Sequence, residues 1–176
     1  GLFVPQENKI RILAIDPALR CTGYAVIEAN GHAYTAVDCG VIKTAAGRPL
    51  SECLTRLSCG VRELVDSFTP NVSAIESGFY SKNAKTAMLL GSARGAVIAP
   101  IAEAEIEIYE YAPRRVKQAI CGHGNADKEQ IANLVKQLLG LTGQKLRNDA
   151  TDALAIGICH ANTYFTNQGI FLPNPL

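Results

Sequence analysis

The run Lys9-Ile10-Arg11-Ile12-Leu13-Ala14-Ile15 stops at Asp16-Pro17. Proline has no N–H to give to a sheet ladder, so the strand written by this apolar run ends there. A carboxylate is thereby left at the end of a buried strand, and the rest of the chain must be arranged around it. Thr22 to Glu28 reads as a second strand, Asn30-Gly31 as a two-residue hairpin signal, and Ala33 to Lys43 as a third strand. Together they predict a three-stranded antiparallel meander.

Pro49 suits a helix start, and Leu50, Leu54, Leu57, Val61, Leu64, Val65 and Phe68 recur at helical spacing after it. Pro70-Asn71 ends that helix. Val72-Ser73-Ala74-Ile75-Glu76 is a short buried strand that again closes on a carboxylate. A long helix is predicted over Lys82 to Ala102, a strand over Glu105 to Tyr109, and a helix opening at Pro113 and broken by Gly122-His123-Gly124. Asp127 to Leu139 is amphipathic, and a last helix starts near Asp149 and runs through His160. The order βββαβαβααα predicts an α/β fold, a mixed five-stranded sheet flanked by helices. Residues 1–176 are expected to form one domain, with 1–8 and 166–176 as candidate flexible ends.

Seventeen Lys and Arg against sixteen Asp and Glu leave the chain at +1, and 48% of its residues are hydrophobic. That composition argues for an ordinary core and against disorder. No stretch is apolar and long enough for a spanning helix, and the first residues lack the basic and apolar regions of a secretion signal. A cytoplasmic protein with no membrane association is the expectation. The six cysteines form no C-x-x-C pair and are expected to be reduced thiols in the interior. A net charge of +1 shows no basic excess of the kind that marks a nucleic-acid binder.

Four acids stand out. Asp16 and Glu76 close strands, and Asp149 and Asp152 lie three apart at the start of the last helix, projecting from one face on adjoining turns. Taken singly, each has an ordinary explanation: Asp16 as a turn residue before proline, the other two as acids favoured by a helix N-terminus. Taken together, four oxygen donors suit Mg²⁺ or Mn²⁺ rather than zinc. Two such cations about 3.5–4 Å apart form the clamp used for in-line attack on a phosphodiester. Spacing alone leaves their convergence open.

Ile15-Asp16-Pro17 with Thr22-Gly23-Tyr24, then Ala74-Ile75-Glu76 with Phe79 and Lys82-Asn83-Ala84, resemble the RuvC family of bacterial Holliday-junction resolvases. The resemblance continues through Gly91-Ser92-Ala93-Arg94-Gly95, Tyr111 to Gln118, Gly122 to Lys128 and Asp149 to Ala155, and so covers roughly residues 10 to 162. It implies a ribonuclease H-like fold and a homodimeric, Mg²⁺-dependent endonuclease that places symmetric nicks in a four-way junction, coupled to the RuvA and RuvB branch-migration proteins. Carried over by motif, Asp16, Glu76, Asp149 and Asp152 are the catalytic, metal-binding tetrad, holding two Mg²⁺ (or Mn²⁺). Lys117 and Lys128 match basic residues associated with DNA binding and catalysis. Phe79 matches an aromatic that stacks on an unpaired junction base, an interaction of about 1–3 kcal/mol.

Three positions depart from the family pattern: Ala18 after Asp-Pro and Ala25 in the second strand, both where Gly is common, and Ser77-Gly78 after Glu76. Ala18 requires a backbone that avoids positive φ or bears strain. Lys82, Lys85 and Arg94 sit in an acid-free segment, and Arg114, Arg115, Lys117, Lys128, Lys136, Lys145 and Arg147 crowd the segment from Tyr111 to Arg147. With the resemblance, Phe79, Lys82, Lys85, Arg94, Arg114, Lys117 and Lys128 become the candidate DNA contacts. Glu103, Glu105, Glu107 and Glu110 read as solvated surface, His123 as a loop residue and His160 as packed. With four acids engaged on metal, seventeen bases face only twelve acids, so the near-neutral total is a sum over opposing patches. The alternative function on the same fold is a non-catalytic module that holds branched DNA. A third reading, an actin-like ATPase, rests on the similarity of Asp16-Pro17-Ala18 with Thr22-Gly23 to a first phosphate loop, but the chain is short for two lobes.

Overall fold

A computed structural model describes residues 8–78, 83–166 and 172–176. Along β1 (Lys9–Asp16) alternate side chains serve opposite faces, and both faces are apolar. Ile12 and Ala14 enter one core and Leu13 and Ile15 the other, all with no exposed surface. A strand buried on both sides belongs in the middle of a sheet. β2 (Cys21–Asn30) runs antiparallel to β1, and β3 (Ala33–Lys43) antiparallel to β2. β4 (Val72–Glu76) lies parallel to β1, and β5 (Glu107–Tyr111) parallel to β4, which places the strands in the order β3-β2-β1-β4-β5.

α1 (Leu50–Phe68) and α2 (Ala84–Glu103) cover one face through Leu57, Val61, Leu64, Val97 and Ile101. α3 (Pro113–Cys121), α4 (Lys128–Leu138) and α5 (Asn148–Phe165) cover the other. The order and type of the elements match the sequence reading, and the differences are local. The hairpin turns on Gly31-His32 rather than Asn30-Gly31: Asn30 still pairs with Ala33, and Gly31 takes the positive φ of 61°. The fifth strand begins at Glu107 instead of Glu105. Glu105 adopts φ 59° and closes the end of α2, with Glu105 N–H donating to Ala102 O and Ile106 N–H to Ile101 O. That is a Schellman closure built on Glu rather than Gly, so no glycine in the sequence announced it. α2 starts at Ala84, two residues late, because Asn83 caps it by accepting from Thr86 N–H. Ala18 avoids positive φ, since the described non-glycine residues with positive φ are Thr69 and Glu105. Its N–H donates instead to Thr22 Oγ1 at 3.0 Å, which ties the turn after Asp16 to β2.

α5 lies on the sheet at contact distance because two glycines make room. A Cβ on Gly157 would stand 2.6 Å from Ile27 Cδ1 and 3.3 Å from Ala14 Cβ. A Cβ on Gly23 would stand 1.9 Å from the main-chain oxygen of Asp149. Farther along α5, His160 is packed, as expected: Nδ1 is 2.7 Å from Tyr111 Oη, with the rings of Tyr109 and Tyr164 nearby. Burial lowers its pKa to about 4. At the chain's end, Leu176 N–H donates to Ile108 O on β5 at 2.8 Å.

Two outcomes are expected. Gly23→Ala must displace the start of α5, because the obstacle is backbone, and should lower the unfolding free energy measured in urea by about 1–3 kcal/mol. His160 titrates at about 4 when folded against 6.5 when exposed, so its neutral form favours the fold. Its contribution is complete above pH 6.5 and is lost as pH falls from 6.5 through 4, by roughly 3 kcal/mol at most. Unfolding curves across that interval should flatten in His160→Gln.

Candidate active site

β1 and β4 are parallel neighbours, with Ile15 opposite Ile75, so each delivers the next side chain to the same end of the sheet: Asp16 from β1 and Glu76 from β4. The carboxyl ends of parallel strands are where open α/β sheets bind their ligands. α5 enters over the same edge, carrying Asp149 in its first turn and Asp152 one turn on. The four acids meet electrostatically. Burial first, then the charge and hydrogen bond of Glu76, and then Asp152 and Asp149 push the Asp16 carboxyl up to about 8. Burial also raises Glu76, with Asp152 adding to it, while the Asp16 hydrogen bond, Lys128 and Arg94 oppose the rise. Asp152 is raised by burial and by Asp149 against the pull of Lys128.

Each carboxylate has a protein partner. Asp16 and Glu76 share a hydrogen bond. Asp152 lies 3.3 Å from Lys128 Nζ, and Asp149 lies 3.7 Å from the Arg147 guanidinium. As they stand, no three Asp, Glu, His or Cys side chains among the described residues form a group close enough to hold a metal ion. The donor set itself suits a hard divalent cation, being four carboxylates with no nitrogen ligand. A cation entering the cluster would relieve the like-charge repulsion that raises these groups.

Beside the acids lies a cleft of about 300 Å³, lined in part by Glu76, Asp152, Lys117 and Lys128. A second hollow of about 320 Å³, with Lys136 and Asn148, shares Lys128 and Asp152 with it. Lys128 owes its place to the capping box at Asp127, whose side chain accepts from Gln130 N–H while Gln130 returns a bond to Asp127 N–H. So Asp16, Glu76, Asp149, Asp152, Lys117 and Lys128 come to one end of the sheet.

The other residues singled out in the sequence fall elsewhere. Lys85 is exposed on the first turn of α2, and Arg114 is exposed on α3 against Gly124. Phe79 and Lys82 lie outside the described residues. Arg94 is turned inward: it donates to Glu76 O at 2.6 Å and pairs with Glu110. Glu110 is therefore not part of a solvated acidic run, because it neutralises a guanidinium that braces the end of β4. Arg115 also points inward, donating to Thr163 Oγ1 at 3.2 Å. Sequence reasoning passed over Cys21, whose thiol donates to Asp149 Oδ2 at 3.3 Å and stands 3.5 Å from Arg147. The signal was register: an antiparallel β2 must begin where β1 ends.

A family model for the crossover junction endodeoxyribonuclease RuvC matches residues 12–160. The chain belongs to the RuvC family. It is 40% identical to RuvC of Natranaerobius thermophilus over 153 residues, 87% of this chain and 95% of that one. With RuvC of Chloroflexus aggregans it shares 43% over 159 residues, covering 90% and 97% of the two chains. Among solved structures it resembles Thermus thermophilus RuvC in complex with a Holliday junction substrate, at a TM-score of 0.86 and 32% identity over 95% of this chain and 99% of that one. The yeast mitochondrial Holliday junction resolvase Ydc2, at 15% identity and a TM-score of 0.61, shares the fold. The ribonuclease H-like architecture expected of a RuvC protein is the one observed.

Removing Arg94 from this RuvC chain frees the Glu76 carbonyl and leaves Glu110 without its cation. Arg94→Ala should lower the unfolding free energy by about 1–3 kcal/mol. Arg94→Lys should recover only part of that loss, because one ammonium cannot replace a fork that serves two acceptors. Chemical denaturation of the three proteins checks this.

Proposed function

We propose that this chain is a divalent-metal-dependent endonuclease that resolves four-way DNA junctions by paired, symmetric nicks. The observation that supports this best is the meeting of Asp16, Glu76, Asp149 and Asp152 beside Lys117 and Lys128 at one end of the sheet. Those four carboxylates would hold two Mg²⁺, with Mn²⁺ an alternative of the same hardness. When bound, such ions supply Lewis-acid stabilisation of a phosphodiester and activation of water. The residues of the chain do the rest. Asp16 and Glu76, fixed on adjacent strands, define a rigid edge, while Asp149 and Asp152 close it from the start of α5. Lys117 and Lys128 project into the cleft where negative charge accumulates on a phosphate under attack. Lys85 and Arg114, both exposed, are suited to phosphates farther from the break, and Phe79 and Lys82 complete the proposed DNA-contacting set.

Symmetric nicking calls for two copies. We assign the contact between them to the first half of α2, where Met88 is 74% exposed and Leu89 and Leu90 are half-buried. Coupling to RuvA and RuvB and a cytoplasmic site of action are part of the same proposal; no described helix is long and apolar enough to cross a membrane. We take residues 1–176 as a single nuclease domain.

A labelled four-way junction incubated with the protein, with and without Mg²⁺, tests this reading beside Asp16→Asn. Wild type should cut only with Mg²⁺, giving nicks in two opposed strands, and Asp16→Asn should bind the junction without cutting it. Equal cutting by both proteins overturns the assigned residues. Tight, Mg²⁺-independent binding with no cutting by either favours a branched-DNA-binding module.

A further inference from the structure

A broad surface groove lies away from the carboxylates. It lies between the end of β3 and the first half of α1, encloses about 720 Å³ and opens broadly to solvent. Three cations line it, Lys43, Arg48 and Arg56, together with the hydroxyls of Ser51 and Thr55. Its single acid, Glu52, sits 3.7 Å from Arg48. The lining has no aromatic ring and no large aliphatic side chain. Three cations with hydroxyls between them match the phosphate and sugar oxygens of a nucleic-acid backbone.

The groove has a built frame. Arg20, itself exposed, donates to Ala45 O at 3.2 Å and Arg48 O at 3.0 Å, while Thr44 N–H donates to Arg20 O at 2.9 Å. Arg56 Nε donates to Lys43 O at 3.4 Å, which ties α1 to the end of β3. The backbone that carries Arg48 is therefore tied to Arg20, and the first half of α1 to the end of β3.

Register places the groove relative to the acids. Asp16 pairs with Gly23 on β2, and Cys21, two residues back on β2, pairs with Lys43 on β3. Across the end of the sheet the order is thus Lys43, Cys21, Asp16, Glu76. Asp16 is level with Val41, so two strand spacings across and two residues along, about 12 Å in all, separate Lys43 from Asp16. Lys117 and Lys128 lie on the opposite side of the acids, on α3 and at the start of α4. The carboxylates stand between two basic surfaces.

We propose that the groove formed by Lys43, Arg48 and Arg56 seats the phosphate backbone of a duplex arm of the DNA substrate. The proposal rests on the junction-cutting reading above and adds the path the DNA takes: across the sheet end from Lys117 and Lys128, past the acids and onto the start of α1. At about 3.4 Å of rise per nucleotide, an offset of about 12 Å puts the first seated phosphate about three to four nucleotides from the break.

The test compares wild type, the triple variant Lys43→Ala/Arg48→Ala/Arg56→Ala, and Arg62→Ala, whose partner Glu103 lies away from the groove. Binding to a four-way junction is measured in EDTA over a range of salt, with thermal unfolding as a check on folding. Each phosphate contact contributes about 0.9 to the slope of log K against log salt, so the triple variant should lose about two to three from that slope while Arg62→Ala keeps it. Ethylation of phosphates about three to four nucleotides from the break should weaken wild type and leave the triple variant unaffected. A triple variant that is folded, and whose slope and ethylation pattern equal those of a steeply salt-dependent wild type, overturns the groove and leaves the junction reading intact. A wild type whose binding ignores salt overturns both.

Discussion

The contact on which the rest of the structure depends is the approach of the start of α5 to β2. At Gly23 the main-chain oxygen of Asp149 occupies the volume that any side chain would take. Because α5 can descend that far, Asp149 and Asp152 reach the plane of the strand ends and enter the field of Asp16. Gly157 serves the same approach farther along the helix, where a Cβ would meet Ile27 and Ala14. A helix held even one side chain farther out would leave its two acids on an ordinary solvated N-terminus, their commonest setting.

The gathered carboxylates are costly to hold. Burial and mutual repulsion raise Asp16, Glu76 and Asp152, and the protein offsets this with a ring of cations: Arg94 behind Glu76, Lys128 at Asp152 and Arg147 at Asp149. Arg94 and Lys128 differ in kind. Arg94 is turned inward with 15% of its side chain exposed and braces the end of a strand, whereas Lys128 is 73% exposed and opens onto the cleft. The first belongs to the scaffold and the second faces whatever enters. Charge alone could not separate them, since both are single bases in motif-bearing segments.

Much of this was legible in the sequence. The element order followed from proline stops and apolar periodicity, and the four acids followed from strand ends, helix spacing and family resemblance. What escaped were features set by geometry between distant segments. Glu105 closes a helix in a left-handed conformation that favours Gly, which moved β5 by two residues. Glu110 reads as one acid of a surface run until the fold brings Arg94 to it across sixteen residues. Cys21 reads as one scattered thiol until antiparallel pairing sets it beside Asp149, 128 residues away.

The sequence by itself determined which residue types stand at strand ends and helix starts, because local backbone preference and apolar period are properties of neighbouring residues. Only the tertiary structure decided which charges face one another, because like and opposite charges are sorted by strand register and by how closely a helix can lie on a sheet. The same sorting resolves the near-neutral total of +1: the acids converge on the middle of the sheet end, and bases flank them on both sides.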